Sequence, residues 1–142
     1  MTVYFDTSAF IKLLIPEPGS DLAHDLWARA DMVTSTRILY PEVRAAAAAI
    51  HRAGRMRVRR LPATVARIEE LHRELQVVAL DDPLARAAGD LAERHALRGY
   101  DAVHLASVLA IDVPGDLIVA TWDQQLAAAA VAEGRMVVPA QP

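Results

Sequence analysis

Short apolar runs alternate along the chain with longer segments in which apolar residues recur every three or four positions. The short runs predict β-strands and the longer segments predict helices, because these structures present one face to the core at periods of two and about 3.6 residues. Strands that are apolar along their whole length are typical of a parallel sheet covered by helices on both faces. The pattern therefore predicts a three-layer α/β/α domain with a central parallel sheet of four to five strands, at residues 3–5, 32–35, 77–80, 117–120 and, as the fifth, 136–138.

Capping residues, prolines and glycines mark where the predicted helices begin and end. Ser20 and Asp82 stand where helix N-caps are expected, and Pro83 suits the first turn that follows Asp82. Gly54 is suited to stopping a helix, and a turn is expected at residues 114–115. The predicted helices cover residues 7–14, 20–30, 39–52, 61–75, 82–92, 102–111 and 123–133.

Length and composition limit the class of protein. A chain of 142 residues holds one ordinary domain, so we expect a single domain over residues 1–142. Apolar residues at 54% against charged residues at 23% are typical of a globular rather than a disordered chain. The absence of cysteine excludes disulfide scaffolds and thiol chemistry, and no apolar run is long enough to span a bilayer. With no basic leader and an acid at position 6, the sequence predicts a cytoplasmic protein that does not enter a membrane.

The charge balance adds one further observation. Fifteen basic against 18 acidic residues give a net charge of −3, which by itself argues against a nucleic-acid-binding protein. Five of the 14 arginines nevertheless fall within residues 51–60, around a glycine turn between two predicted helices. This basic segment is interpreted either as a clamp for RNA phosphates or as a solvated turn.

Acidic residues recur beside the predicted strand ends and helix starts. Asp6, Asp81 and Asp123 come after strands, and Glu42 and Asp101 lie at or near helix starts. The carboxyl ends of parallel strands form the ligand-binding crevice of an open sheet. If four of these acids meet there, repulsion of roughly 1–3 kcal/mol per pair favours a divalent cation between them. A ligand set made only of oxygen suits Mg²⁺ or Mn²⁺. The four candidates are Asp6, Glu42, Asp101 and Asp123.

The alternative interpretation of these acids is structural. Aspartate is among the best N-cap residues, and a glutamate in a first helical turn interacts favourably with the helix dipole. Asp82 is explained as a cap by the proline after it. Spacing alone leaves both interpretations of the other four acids open.

Four segments resemble motifs of the PIN-domain nucleases, and specifically of the VapC toxins of bacterial toxin–antitoxin pairs. The first is residues 6–13, DTSAFIKL, and the second is Glu42-Val43 followed by small residues. The third and most specific is residues 97–106, LRGYDAVHLA, and the fourth is residues 121–126, TWDQQL. Order and spacing match from residue 3 to about residue 138, which is nearly the whole chain.

The resemblance implies a PIN-like fold and a Mg²⁺- or Mn²⁺-dependent endoribonuclease in which a metal-activated water attacks an RNA phosphodiester. It implies that Asp6 and Asp101 are the main metal ligands. Glu42 would bind a metal directly or through water, and Asp123 would complete a second or water-mediated site. The resemblance also implies a homodimer and a cognate VapB-type antitoxin that occludes the site. An acidic antitoxin segment docking on the basic segment is then a third interpretation of those arginines.

Several further residues take an expected role beside this set. Ser8 and Thr121 are implied by the resemblance to be hydroxyls that orient the carboxylates. Asp81 lies outside the family pattern and receives no role. His104 is expected to be a packed core histidine. The run of alanines at residues 45–49 is interpreted either as part of a subunit interface or as simple helix propensity.

Two rival functions are weighed against the resemblance. A Mg²⁺-dependent phosphotransfer domain of the haloacid-dehalogenase type needs an aspartate where this chain has Ser8, and a receiver domain needs a lysine near its last strand, whereas Lys12 is the sole lysine. The alternative from a different class is a non-cleaving PIN-like module that binds RNA or antitoxin. The complete set of four acids argues against that module.

Overall fold

The computed structural model describes residues 1–111 and 115–140. The turn expected at residues 114–115 is therefore described only at Gly115, whose φ of 82° suits glycine, while residue 114 lies outside the described ranges. None of the helices in these ranges combines the length and the apolarity needed to cross a membrane. In chain order the elements are β1 (Thr2–Phe5), α1 (Thr7–Ile11), α2 (Ser20–Arg29), β2 (Met32–Thr36), α3 (Leu39–Arg52), α4 (Arg60–Glu74), β3 (Gln76–Val78), α5 (Asp82–His95), α6 (Gly99–Ala110), β4 (Leu117–Ala120), α7 (Gln124–Ala132) and β5 (Met136–Val138).

The strands form one parallel sheet in the order β3-β2-β1-β4-β5, which confirms the predicted central sheet. In register, Val3 of β1 lies between Val33 of β2 and Ile118 of β4. The chain builds outward from β1 to β3 on one side and then returns to place β4 and β5 on the other. The direction of winding thus reverses between β1 and β4, and such a reversal opens a crevice at the carboxyl ends of the two strands.

Alternating side chains of β1 divide the core into two halves. Val3 and Phe5 pack among residues of α1 to α4, whereas Tyr4 packs among residues of α5 to α7, and all three are fully buried. Each fully buried apolar side chain of this size contributes on the order of 1.5–3 kcal/mol to the free energy of folding. The sheet is therefore covered on both faces, which confirms the predicted three layers. Tyr4 carries a hydroxyl into the half of the core that lies below α6.

Two predicted helix caps are wrong by one residue. Asp81, rather than Asp82, caps α5, because its Oδ1 accepts a hydrogen bond of 2.9 Å from the backbone N–H of Leu84. Asp82 instead lies in the first turn and pairs with an arginine one turn later. Gly19, with a φ of 94°, caps α2 in place of Ser20. The Ser20 hydroxyl closes the preceding loop by bonding backbone groups of residues 15 and 17.

Several predicted boundaries also shift. Helix α1 ends at Ile11 rather than residue 14, and β3 is Gln76–Val78 rather than 77–80. Helix α6 begins at Gly99, three residues before the prediction, so Asp101 lies inside its first turn and is not a cap. The expectation that α6 is buried is confirmed, since most of its residues from Asp101 to Val108 are inaccessible to solvent.

Candidate active site

The reversal of strand order brings the first and fourth sequence motifs together. Asp6 directly follows β1 and Thr121 directly follows its neighbour β4. Both residues are buried, with Asp6 only 3% exposed. The Thr121 hydroxyl donates a hydrogen bond of 2.6 Å to Oδ2 of Asp6 across the crevice. Two segments separated by more than one hundred residues thus form the floor of one site.

Three donors hold the Asp6 carboxylate. Besides Thr121, the backbone N–H of Ala9 donates to Oδ1 at 2.8 Å, which makes Asp6 the N-cap of α1, and the Ser8 hydroxyl donates at 2.7 Å. The Ser8 hydroxyl shares its single hydrogen between Oδ1 and Oδ2, at 2.7 and 3.0 Å, so three donor hydrogens face about four lone-pair positions. Asp6 is therefore both the cap that its sequence context predicted and a carboxylate held in one orientation.

The hydroxyls of Ser8 and Thr121 also bind the loop that carries the last acid. The Ser8 Oγ accepts a hydrogen bond of 2.8 Å from the backbone N–H of Trp122, and the Thr121 Oγ1 accepts one of 3.0 Å from that of Asp123. Each hydroxyl thus donates to Asp6 and accepts from the loop after β4, Ser8 across the crevice and Thr121 within that loop itself. This arrangement agrees with the orienting role that the family resemblance implied for both residues.

Glu42 is held by a buried histidine. Its Oε1 accepts a hydrogen bond of 2.9 Å from the Thr7 hydroxyl and lies 2.7 Å from Nε2 of His104. On the other side of the ring, Nδ1 of His104 lies 2.8 Å from the Tyr4 hydroxyl. A neutral imidazole in this position donates through Nε2 to Glu42 and accepts at Nδ1 from Tyr4. Helix α3 supplies Glu42 and α6 supplies His104, so this network joins two layers of the fold.

Asp101 and Asp123 repel each other. Burial, followed by the negative charge of Asp123, raises the pKa of Asp101 above its ordinary value, although the neighbouring Arg98 acts in the opposite direction. The Arg98 Nε lies 3.4 Å from Oδ2 of Asp101. Asp123 caps α7, and its Oδ1 accepts a hydrogen bond of 2.9 Å from the backbone N–H of Leu126. Among the described residues, the exposed Arg98 is therefore the one cation that forms an ion pair with either Asp101 or Asp123.

Burial also raises the pKa of Asp6. His104 in its protonated form, and the hydrogen bonds from Thr121, Ser8 and the backbone of Ala9, oppose this rise without cancelling it. A raised carboxyl pKa means that the folded protein disfavours the charged form. Two carboxyl groups of the site, Asp6 and Asp101, thus lack sufficient compensating positive charge.

The carboxylates suit a hard divalent cation in their chemistry, but in the described structure each is engaged by other partners. Within residues 1–111 and 115–140, no group of three or more Asp, Glu or His side chains is arranged to hold a metal ion. Glu42 is engaged by His104 and Thr7, and Asp123 is engaged as a helix cap. The donor set is nevertheless made only of oxygen, and its charge is not balanced. An ion held directly by all four acids therefore requires a side-chain arrangement other than the present one.

The sequence analysis anticipated some features of these residues and missed others. Asp6 and Asp123, two of the predicted site acids, are helix caps, while Glu42 and Asp101 lie in first turns. The expected burial of His104 is confirmed, at 2% exposure, but its contact with Glu42 was not foreseen. The contributions of Thr7 and Arg98 were also missed. The signal for all three was their position inside the first and third motifs.

The basic segment forms an exposed surface away from these acids. Arg52, Arg55, Arg57, Arg59 and Arg60 are all exposed, and in the part of the chain that the structure describes none of them forms an ion pair. Three of them line a cavity of about 520 Å³ together with residues 14–16, which follow α1. The alanine run at residues 45–49 has one fully buried member, Ala47, which packs into the core.

Comparison with known proteins agrees with this geometry. Residues 3–132 match the family model of the PIN domain. Ribonucleases VapC45 and VapC49, from two strains of Mycobacterium tuberculosis, are each 48% identical to this chain over 139 residues, which is 98% of this chain and 96% of either relative.

Solved structures with the same arrangement are more distant in sequence. Mycobacterium tuberculosis VapC20, a Sarcin-Ricin loop cleaving toxin, superimposes with a TM-score of 0.68 at 20% identity and covers 89% of this chain and 94% of its own. A toxin–antitoxin complex from Klebsiella pneumoniae gives a TM-score of 0.62 at 18% identity and covers 85% of this chain and 86% of its own. At such identities the likeness shows the fold alone, and it agrees with the observed α/β/α layers.

Proposed function

The chain belongs to the PIN-domain family, and we propose that it is an endoribonuclease toxin that hydrolyses RNA phosphodiester bonds. The observation that carries this proposal is its 48% identity, over nearly its full length, to two proteins named as VapC ribonucleases. The buried Asp6 and Asp101 at the carboxyl end of the sheet support it, because this is where an open parallel sheet binds ligands.

We propose Mg²⁺ or Mn²⁺ as the cofactor and assign its binding to Asp6, Glu42, Asp101 and Asp123. When bound, the ion supplies positive charge that activates water and offsets the charge developing on the phosphodiester. The raised pKa values of Asp6 and Asp101 support this assignment, because a cation beside them would favour the charged carboxylates.

The residues around the acids have separable tasks in this proposal. Ser8 and Thr121 keep the Asp6 carboxylate in one orientation, and His104 does the same for Glu42. Arg98 has a side chain that is 63% exposed, so its guanidinium can donate to a phosphate oxygen of the substrate as well as to Asp101. Asp6 and Asp101 are buried, and this excludes bulk water and strengthens the electrostatic interactions within the site.

The partners follow from the same family relationship. We propose that a cognate VapB-type antitoxin binds the chain and occludes the acidic site, that the protein acts as a homodimer, and that it works in the cytoplasm. The toxin–antitoxin complex from Klebsiella pneumoniae, which shares the fold, supports the choice of an antitoxin as partner.

RNA cleavage in the presence and absence of metal tests the proposed function. The purified protein is expected to cut RNA with Mg²⁺ or Mn²⁺ and to be inactive in chelator, and Asp101→Asn is expected to lose the activity. Asp81→Asn is the matched control, since it changes an exposed aspartate that caps α5 outside the site. In cells, the wild type and the control should arrest growth without a partner, and Asp101→Asn should not.

Two results would overturn the assignment. Equal cleavage by Asp101→Asn at matched expression would remove the catalytic role of the acids. RNA binding without cleavage in either metal would favour the non-cleaving module instead.

A further inference from the structure

A cleft of about 540 Å³ shares a wall with the acidic site. Asp123 belongs to both, since it lines the cleft and acts electrostatically on Asp101. Whatever occupies the cleft therefore lies next to the group held at the acids. The cleft is lined by Ala96, Arg98, Trp122, Asp123, Gln124 and Gln125.

Arg98 presents a flat cationic group whose orientation is already fixed. Its guanidinium carbon lies 4.9 Å from the centre of the Tyr100 ring, and its Nε lies 3.4 Å from Oδ2 of Asp101. The side chain is nevertheless 63% exposed, so the group is held without being covered. A guanidinium in such a position loses little rotamer freedom when a planar ligand stacks on it.

Trp122 is held in the wall of the cleft from behind. A Cβ atom added to Gly19 would lie 2.7 Å from Nε1 of Trp122, so the backbone at Gly19 closes against the indole. The Nζ of Lys12 lies 5.0 Å from the ring centre and adds a cation–π contact. The indole therefore cannot move toward α2.

The backbone at the cleft is held in a conformation that a residue with a Cβ seldom adopts. Ala96 ends α5 with a φ of 52°, in the left-handed region, and among the described residues it is the one non-glycine with positive φ. Left-handed residues are common at helix C-termini, and here the backbone N–H of Leu97 donates to the carbonyl of Ala92 across the turn. The chain turns at Ala96, and Arg98 follows two residues later.

We propose that this cleft binds an unstacked nucleobase of single-stranded RNA, adjacent to the phosphodiester held at the acidic site. The inference rests on the proposed function, because it takes the acidic site as the place where RNA is cut. A planar guanidinium and an indole ring suit the face of a base, and the exposed side-chain amides of Gln124 and Gln125 each offer a donor and an acceptor to its edge. The amides make the cleft selective among bases, whereas stacking alone accepts all of them.

Nucleotide titrations of ¹⁵N-labelled protein in chelator test this inference without any cleavage. The probes are the four nucleoside 5′-monophosphates, with ribose 5-phosphate as the probe that lacks a base. We expect saturable shifts of the Trp122 indole N–H and of the Gln124 and Gln125 side-chain amides with at least one nucleotide, and none with ribose 5-phosphate. The indole N–H of Trp27 is the internal control, because Trp27 does not line the cleft: its ring packs against Phe5 and its Nε1 donates to Glu74.

A double variant separates base recognition from phosphate binding. Gln124→Ala with Gln125→Ala is expected to weaken binding of the preferred nucleotide about tenfold and to bring the four nucleotides close to equal affinity. Gln76→Ala, which removes an exposed amide far along the sheet, is the control and should bind like the wild type. Equal shifts with ribose 5-phosphate, no saturable shift, or a double variant that binds and discriminates like the wild type would each overturn the inference. Base binding without RNA cleavage would overturn the proposed function and leave the cleft assignment standing.

Discussion

Nε2 of His104 lies 2.7 Å from Oε1 of Glu42, and this contact connects the acidic site to the core below it. The ring is 2% exposed and its other nitrogen meets the Tyr4 hydroxyl, which belongs to the central strand β1. Position and orientation of Glu42 are thus set from inside the fold rather than by solvent. In the proposed function His104 therefore acts through Glu42, as a positioning residue rather than a catalytic one.

His104→Phe is expected to destabilise the protein by roughly 1–3 kcal/mol, because the buried Tyr4 hydroxyl then loses the acceptor on which it depends. Adding Tyr4→Phe removes the orphaned hydroxyl. The double variant should therefore be more stable than His104→Phe alone, although it carries one substitution more. Chemical denaturation measures the three free energies of unfolding, and a double variant as unstable as the sum of the single ones would contradict the network.

Removing one of the two facing acids is expected to stabilise the metal-free protein. Asp101→Asn relieves repulsion from Asp123 and should raise the free energy of unfolding in chelator by on the order of 1 kcal/mol. Asparagine caps a helix about as well as aspartate, so Asp123→Asn should act in the same direction without weakening α7. Thermal melts in chelator check both variants, and Asp81→Asn is the control that should leave the melting temperature unchanged.

Added Mn²⁺ or Mg²⁺ is expected to raise the melting temperature of the wild type, because an ion that binds only the folded acids stabilises the fold. Asp6→Asn and Asp101→Asn should both reduce this rise, while Asp81→Asn should keep it. A titration of Mn²⁺ in thermal melts measures the effect. If added metal changes the melting temperature of neither the wild type nor any variant, these acids share no ion.

The stabilising effect of Asp101→Asn is expected to depend on pH. The pKa of Asp101 is raised in the folded protein, so its contribution to stability is fully present below the ordinary carboxyl pKa of 3.8 and is lost as pH rises through the folded value. The advantage of Asp101→Asn over the wild type in chelator should therefore grow from acidic to neutral pH. Denaturation at a series of pH values measures it, and an advantage that grows toward acidic pH would reverse the assigned sign.

The basic segment is expected to contribute charge to RNA binding if it contacts phosphates. Arg57→Ala with Arg59→Ala should then weaken binding and reduce the slope of log affinity against log salt by about 1–2 units. Arg29→Ala with Arg86→Ala is the matched control, because it removes the same charge from exposed arginines that are paired within their own helices. An unchanged slope would mean that the basic segment is a solvated turn. Loss of antitoxin affinity without loss of RNA affinity would identify the segment as a docking face for the antitoxin.

Local signals in the sequence determined the elements and the chemistry of the acids. Strand β4 and helix α3 have the predicted bounds, because each is a clear apolar pattern ended by turn residues. The two shifted caps lie where adjacent residues compete for one role, as Asp81 does with Asp82. Side chains of equal capping ability leave that choice to the packing of the helix that follows.

Only the tertiary structure decided how the acids relate to one another. The order of strands places β4 beside β1, so Thr121 reaches Asp6, and nothing in the spacing of two segments so far apart specifies that pairing. The same holds for His104, which a helical pattern assigns to the core and which meets Glu42 of α3 from the opposite layer of the fold. Periodicity specifies which face of an element is buried, but the contact a buried polar group makes depends on the element packed against that face.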